Sequence, residues 1–352
     1  MQKVLAINPG STSTKFAVYE GESVVFENTL RHTAEEIDSF ESIIAQREWR
    51  KKMIVEGMNG FDIKELSAVV GRGGLVKPIE GGIYEVNERL VEDCIGTHYA
   101  HASNLGALLA KDIADEVGIK SYIVDPVVVD ELSDIARMSG HPAFPRVSMF
   151  HALNSKAIAR HYARDIKKKY EDLNLVVVHM GGGVSVSAHV HGRVVDTYNA
   201  LSGDGCFSPE RTGRVQPISL VDACFSGKYT EAEITHMLIG GGGLNAHLGN
   251  NSMLDAVNSA LAGDEKAKLV VDAFCYNVGK DVGAMSTVMC GKVDAIIITG
   301  GIAYNEHIQR WISERVEWIA KVAIYPGEDE LGALVHSTIE VLNGNITPKV
   351  YK

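Results

Sequence analysis

Short apolar runs interrupted by turns of glycine and hydroxyl residues organise this chain, and its opening stretch sets the pattern. In residues 3–20, KVLAINPGSTSTKFAVYE, an apolar run from Val4 to Ile7 stops at Asn8-Pro9-Gly10. Ser11, Thr12, Ser13, Thr14 and Lys15 follow, then a second apolar run from Phe16 to Tyr19. This order predicts strand, tight turn, strand. Neither run alternates cleanly, as expected of strands buried on both faces. A turn at Glu20-Gly21-Glu22 and a third strand, Ser23 to Asn28, complete the unit. Residues 173–197 repeat it: an apolar run ends at Gly181-Gly182-Gly183, Ser185 lies in the next run, and a turn at His191-Gly192 leads to Arg193–Thr197. Such internal repetition predicts two similar domains. Turn geometry accounts for Asn8 and Gly10. It does not account for four hydroxyls and a lysine, which together with backbone N–H groups suit phosphate oxygens.

The remaining pattern reads as alternating helices and buried strands. A helix pattern over 33–57 ends at Gly57, and a strand over 67–71 ends at Gly71-Arg72-Gly73-Gly74. Glycines around Arg72 present its fork from bare backbone, unless the loop is merely mobile. A strand over 82–86 precedes a helix over 87–96 capped by Asn87, and Ser103 or Asn104 caps another that Gly118 closes. The strand 121–124 ends at Asp125-Pro126. That is where α/β sheets place ligands, although for an isolated Asp-Pro turn chemistry before proline is the favoured explanation. Residues 141–155, with Pro142, Pro145 and His151, lead into a helix of some twenty residues and mark the domain boundary. A loop over 202–214, dense in glycine and charge, carries Arg211 and Arg214. Gly240 to Gly243 form either a site of close ligand approach or a flexible joint. A long helix spans 264–290. The strand 293–299 ends at Gly300-Gly301 before a helix from Asn305, a platform suited to a nucleotide phosphate or adenosine. The last helix, 329–343, opens on Glu328, Asp329 and Glu330, acids that suit a helix N-terminus.

Composition narrows the chemistry. A chain of 352 residues, 45% of them hydrophobic, has room for two cores. A net charge of −11 argues against nucleic acid and anionic membranes as partners, so local cations must hold any anionic ligand. Five scattered cysteines without a C-x-x-C argue for a reducing compartment and against zinc. The first strand starts with no charged leader before it, and no apolar run reaches spanning length. The expectation is a cytoplasmic protein. Two phosphate turns, a nucleotide platform, glycine-flanked arginines, strand-end carboxylates and a histidine together suit phosphoryl transfer, which needs in-line positioning, cations and a metal. Carboxylates such as Asp125 and Glu330 suit Mg²⁺ through water. Arginine forks suit a carboxylate or phosphoryl group.

Asn8-Pro9-Gly10-Ser11-Thr12-Ser13-Thr14-Lys15 resembles the N-x-G-S-x-S-x-K phosphate turn of the acetate and butyrate kinases. These belong to the actin, hexokinase and Hsp70 superfamily, where other members usually begin the turn with aspartate. Phe150-His151, His179-Met180-Gly181-Gly182-Gly183, Arg211-Thr212-Gly213-Arg214 and Thr299-Gly300-Gly301 are similar to further family motifs. The resemblance covers nearly the whole chain and is strongest to the butyrate and branched-chain fatty acid kinases. It implies an α/β fold of two ribonuclease-H-like domains, 1–149 plus 331–352 and 150–330, with an interdomain cleft, hinge closure, and dimerisation through the second domain. It implies reversible transfer from ATP to butanoate or a branched short-chain acid, giving ADP and an acyl phosphate, with Mg²⁺. Arg72 and Arg211 would hold the carboxylate and the phosphoryl in flight, and His151 would stabilise developing charge. Asn8, Ser11, Ser13, Lys15, His179, Gly181, Gly182, Gly183, Gly300, Gly301 and Asn305 would serve phosphate or nucleotide. Asn8, Asp125 and Glu330, or Glu328 beside it, would serve the metal. Gly74, Ala100, His101 and Phe150 would line the acyl pocket.

Three departures from acetate kinases stand out. Gly73-Gly74 replace Val-Val and Ala100 replaces leucine, both predicting room for a longer acyl chain, and Ser155 stands where a second histidine is found. The alternatives are an acetate or propionate kinase and, from another class, an actin- or Hsp70-like conformational ATPase. Against the last, Asn8 replaces the expected aspartate and no peptide-binding domain follows.

Overall fold

Among the described residues there are twelve strands, of which the first three and the seventh to ninth form the predicted repeat: β1 (Lys3–Pro9), β2 (Ser13–Glu20), β3 (Ser23–Arg31), β4 (Ala68–Arg72), β5 (Ile83–Glu85), β6 (Lys120–Val124), β7 (Asn174–Met180), β8 (Val184–Val190), β9 (Arg193–Thr197), β10 (Ala295–Gly300), β11 (Val322–Pro326) and β12 (Lys349–Val350). They come from a computed structural model that describes residues 1–97 and 101–352. The chain divides into one unit of Met1–Val129 with Asp329–Lys352 and a second of Asp130–Glu328.

In the first unit a seven-stranded sheet runs β12-β5-β6-β4-β1-β2-β3. The β1–β2–β3 meander is antiparallel, and β4 and then β6 add in parallel beside β1. The second unit repeats this with a five-stranded sheet, β11-β10-β7-β8-β9. There β7–β8–β9 form the antiparallel meander and β10 and β11 add in parallel. Both are mixed sheets covered by helices, as an α/β fold requires.

The poorly alternating runs are buried on both faces. Val176, Val178 and Met180 of β7 join a core with Val270, Phe274 and Val278 of the helix Glu265–Val288. Leu175 and Val177 face a second core with Ala159, Tyr162 and Ala163 of the helix Ala152–Asp165. In the first unit Leu5, Ile7, Phe16 and Val18 pack with Leu105, Leu108 and Leu109 of the helix Asn104–Val117. Gly118 closes that helix in the left-handed conformation, as its position predicts.

Three expectations are revised in detail. The 33–57 pattern is interrupted: a short helix, Ala34–Asp38, held by a Thr33–Glu36 capping box, precedes the helix Arg47–Gly57. The helix after His151 spans 14 residues, Ala152–Asp165, not some twenty. Residues 130–149, placed by the resemblance in the first domain, pack within the second unit. Glu131 pairs with buried Lys156 at 2.8 Å, and Arg146 pairs with Asp196 at 2.9 Å. No helix among the described residues is long and apolar enough to cross a membrane.

One close approach sets the position of Arg72. A Cβ on Gly71 of β4 would overlap the backbone of Gly106, and one on Gly106 would overlap the carbonyl of Arg72. Alanine at Gly106 adds helix propensity of about 1 kcal/mol, but the overpacking costs about 1–3 kcal/mol. Gly106→Ala is therefore expected to be neutral or destabilising. A lower urea midpoint at unchanged m-value would register the loss, and a clear rise in midpoint would contradict the packing account.

Candidate active site

In the first unit, parallel strands deliver the polar residues to one end of the sheet. Ile7 of β1 pairs with Gly71 of β4, so Asn8 and Arg72 emerge side by side. Arg72 Nη1 donates to Asn8 Oδ1 at 3.3 Å and pairs with Glu330 Oε1 at 2.9 Å. The Asn8 amide donates to the other oxygen of Glu330. Glu330 comes from the first turn of the helix Glu330–Leu342, where the helix dipole favours a carboxylate. Three residues expected from motif position thus form one cluster, with Glu330 21% exposed. Partial desolvation, and then the Arg72 charge, hold His101 below its ordinary pKa. The Ser103 amide donates to its Nδ1 at 3.2 Å.

Lys15 stands opposite Asn8 across the β1–β2 ladder and pairs with Glu27 at 2.8 Å. Both groups are more than two-fifths exposed, so the pair is worth at most about 1 kcal/mol and exchanges readily for a stronger anion. Asp125 is buried just beyond β6, with φ +37°. Its Oδ1 accepts the Gly82 N–H at 2.7 Å, and its own N–H donates to the Gly82 carbonyl. The carboxylate therefore clamps the entry to β5.

The two glycines after Arg72 change the pocket argument. A side chain on Gly73 would overlap Pro126, and one on Gly74 would overlap Asn104. The volume vacated by the missing side chains is filled by neighbouring chain, so these glycines serve close packing. Ala100 lies outside the described residues.

In the second unit His151 and His179 stack with ring centroids 3.8 Å apart and planes 16° from parallel. His151 precedes the helix Ala152–Asp165, and its Nδ1 meets Ser185 Oγ at 2.9 Å. His179, in β7, is buried. The Asn154 amide donates to its Nδ1 at 2.6 Å, which places a proton on Nε2, 3.1 Å from Glu328 Oε1. The Gly181–Gly183 turn closes on itself through a 2.9 Å bond and is tied to Ser208, whose hydroxyl donates to the Gly182 carbonyl. Arg211 lies against Gly183, where a Cβ would overlap its guanidinium, and donates to the Ala200 carbonyl at 2.8 Å. Desolvation lowers the Arg211 pKa from its ordinary value, with Glu210 opposing. Phe150, the residue just before His151, is buried.

At the end of β10, Gly300 takes φ +91°, and a Cβ there would overlap the Met180 backbone. Gly300 and Gly327 exchange backbone bonds at 3.2 and 3.0 Å. A Cβ on Gly301 would meet open space. The Asn305 side chain accepts the N–H groups of His307 and Ile308, so it works as a helix cap. Among the described residues, no three or more His, Cys, Asp or Glu are grouped to hold a metal.

Sequence reasoning missed Asn154, Ser185 and Glu328 as partners of the histidines. Asn154 carried a signal, lying three residues after His151 on one helix face. Glu328 and Glu330, two residues apart, go to different units. Glu328 meets His179 and Glu330 meets Arg72.

The acetokinase family model matches residues 146–322. Butyrate kinase 2 of Clostridium acetobutylicum is 52% identical, covering 99% of each chain. The chain belongs to the acetokinase family. Butyrate kinase 1 of the same organism is 51% identical over 100% of both chains. Among solved structures, acetate kinase of Porphyromonas gingivalis superposes with a TM-score of 0.79 at 18% identity, covering 97% of this chain and 100% of that one. Acetate kinase of Entamoeba histolytica gives 0.74 at 14% identity, covering 95% and 98%. These likenesses show an acetate kinase-like α/β fold, here with two mixed sheets. In this acetokinase, Gly183→Ala should displace the Arg211 guanidinium. Turnover is expected to fall about a hundredfold with little change in melting temperature. Turnover within threefold of wild type would count against the Arg211 placement.

Proposed function

We propose that this acetokinase transfers the terminal phosphoryl of ATP to butanoate or a branched short-chain acid, forming an acyl phosphate and ADP. The reading rests on the Asn8–Arg72–Glu330 cluster, in a chain half identical end to end to named butyrate kinases. A carboxylate oxygen attacks the γ-phosphorus, and the bond to the bridging oxygen breaks toward ADP. The acid is already ionised at neutral pH, so no base is required. The difficulty is bringing anions together, and cations and N–H donors meet it. Arg72 takes the acceptor carboxylate with the donors that Asn8 and Glu330 leave open. Arg211 takes the phosphoryl in flight, His151 stabilises its developing charge, and His179 supports the glycine turn. The turn at Ser11–Lys15 takes nucleotide phosphate, with Gly300 and Gly301 as the nucleotide platform. Mg²⁺, a hard ion that keeps waters and substrate phosphates as ligands, would fit the partly exposed carboxylate oxygens of Glu330 better than Asp125, which is buried and bonded to the Gly82 N–H. When bound it neutralises phosphate charge.

A cytoplasmic setting suits five cysteines that are all free. A homo-oligomer is supported by the helix Pro217–Phe225, which is apolar yet has no buried residue, with Ile218 72% and Phe225 86% exposed. A second copy is the occupant we assign to that face. Phe225→Asp is then expected to halve the sedimenting mass, whereas an unchanged mass would remove this surface from the assembly.

Trapping acyl phosphate with hydroxylamine in the presence of ATP, Mg²⁺ and a series from acetate to pentanoate tests the chemistry. Hydroxamate should form with butanoate at a kcat/KM above that for acetate, since each buried methylene is worth about 1–3 kcal/mol. Arg72→Ala or Arg211→Ala should each cut kcat by about a hundredfold or more. A larger kcat/KM for acetate would move the assignment to the acetate or propionate kinases. No hydroxamate with any acid, alongside slow ATP hydrolysis, would favour the conformational ATPase.

A further inference from the structure

The phosphate turn is built around a buried cation that the mechanism above does not use. Arg50, in the helix Arg47–Gly57, is 1% exposed. Its Nη1 donates to the carbonyls of Gly10 at 2.9 Å and Ser13 at 3.2 Å, and to Thr14 Oγ1 at 2.9 Å. Its Nη2 donates to the Ser11 carbonyl at 3.2 Å and to Gln46 Oε1 at 2.8 Å, and its Nε donates to the same oxygen at 3.0 Å. The one carbonyl left in the turn, Thr12, accepts the His32 N–H at 2.9 Å. Thr14 Oγ1 accepts from Arg50 and also hydrogen-bonds His32 Nε2 at 2.9 Å. The carbonyls of residues 10–13 are therefore all taken from within the fold.

Peptide planarity then dictates where the donors go. A trans peptide points its C=O and the following N–H in opposite directions. With the Gly10 and Ser11 carbonyls turned to Arg50, the N–H groups of Ser11 and Thr12 turn away from it, and neither has an acceptor among the described residues. A run of outward N–H groups is an anion nest. Arg50 has no carboxylate partner among the described residues, although a buried charge ordinarily requires one.

We propose that Arg50 is the positioning residue of the phosphate turn, taking its carbonyls inward so that its donors face the phosphates, while its uncompensated charge favours an anion at the turn. This inference rests on the reading that residues 8–15 bind nucleotide phosphate.

Calorimetric titration of the full chain with ADP and with adenosine separates the possibilities. For Arg50→Gln, the dissociation constant for ADP should rise about tenfold or more, while that for adenosine stays within about twofold. Arg50→Lys, which keeps the charge but loses the fork, should fall between Arg50→Gln and wild type. A folded Arg50→Gln whose ADP-to-adenosine affinity ratio matches wild type overturns the proposal, as does equal weakening toward both ligands, the mark of a merely structural role. If Arg50→Gln fails to fold, Arg50→Lys is judged by the same ratio. A Ser11→Ala/Ser13→Ala control keeps the two readings apart. If it leaves ADP binding unchanged, the phosphate-turn reading fails. If it weakens ADP binding and the Arg50 variants do not, only the role of Arg50 fails.

Discussion

A single carboxylate, Glu330, holds the two polar side chains at the strand ends of the first unit. Asn8 and Arg72 stand at the ends of adjacent parallel strands, where a sheet offers side chains but no backbone to fix them. Glu330 returns from the far end of the sequence, on a helix whose first turn favours a negative charge, and accepts from both. The fork is oriented without being fully used, because one guanidinium carries five donors. Much of the first unit keeps this arrangement in register. The close approach of Gly71 to Gly106 fixes β4 against its covering helix, and the buried face of the helix Glu330–Leu342 fixes the carboxylate.

The second unit solves the same problem with different groups. Its first strand ends in a glycine turn in the same way, but the buried polar residue is His179, oriented by Asn154 on one ring nitrogen and Glu328 on the other. Stacking on His151 adds a second ring whose remaining edge is steered by Ser185. In each unit a polar side chain at a strand end is held by polar partners from elsewhere in the fold: Asn8 and Arg72 by the partly exposed Glu330, and buried His179 by Asn154 and Glu328. Burying such partners is costly unless their hydrogen bonds are satisfied, and here they are largely satisfied. Asp329 lies between Glu328 and Glu330, and its side chain caps the final helix at the Gly332 N–H.

Glycine has three distinct uses here. Gly118 supplies a left-handed helix end, Gly71 and Gly106 allow two backbones to touch, and Gly183 leaves room for a guanidinium. Gly73 and Gly74 belong with the second group. In the sequence they read as missing bulk, while in the fold Pro126 and Asn104 occupy that volume. A small residue in a sequence says only that a side chain is absent, not what fills its place.

Short-range order along the chain is enough to find the repeated strand, turn and strand unit, the buried character of β1 and β7, and the candidates Asn8, Arg72, His151, His179 and Arg211. All of these are properties of neighbouring residues: apolar runs, glycine and hydroxyl turns, and motifs a few residues long. Folding alone reveals that Glu330 meets Arg72 while Glu328 meets His179, that Asn305 is spent as a cap, that Asp125 clamps Gly82, and that Arg50 lies behind the first turn. Each of those depends on which atoms become neighbours once sheets and helices pack. Arg50 lies 37 to 40 residues from the Gly10 and Ser13 carbonyls it holds, in a stretch that the sequence reads only as a helix pattern. Local pattern carries the periodicity of burial, but the partner of a buried charge is chosen by packing.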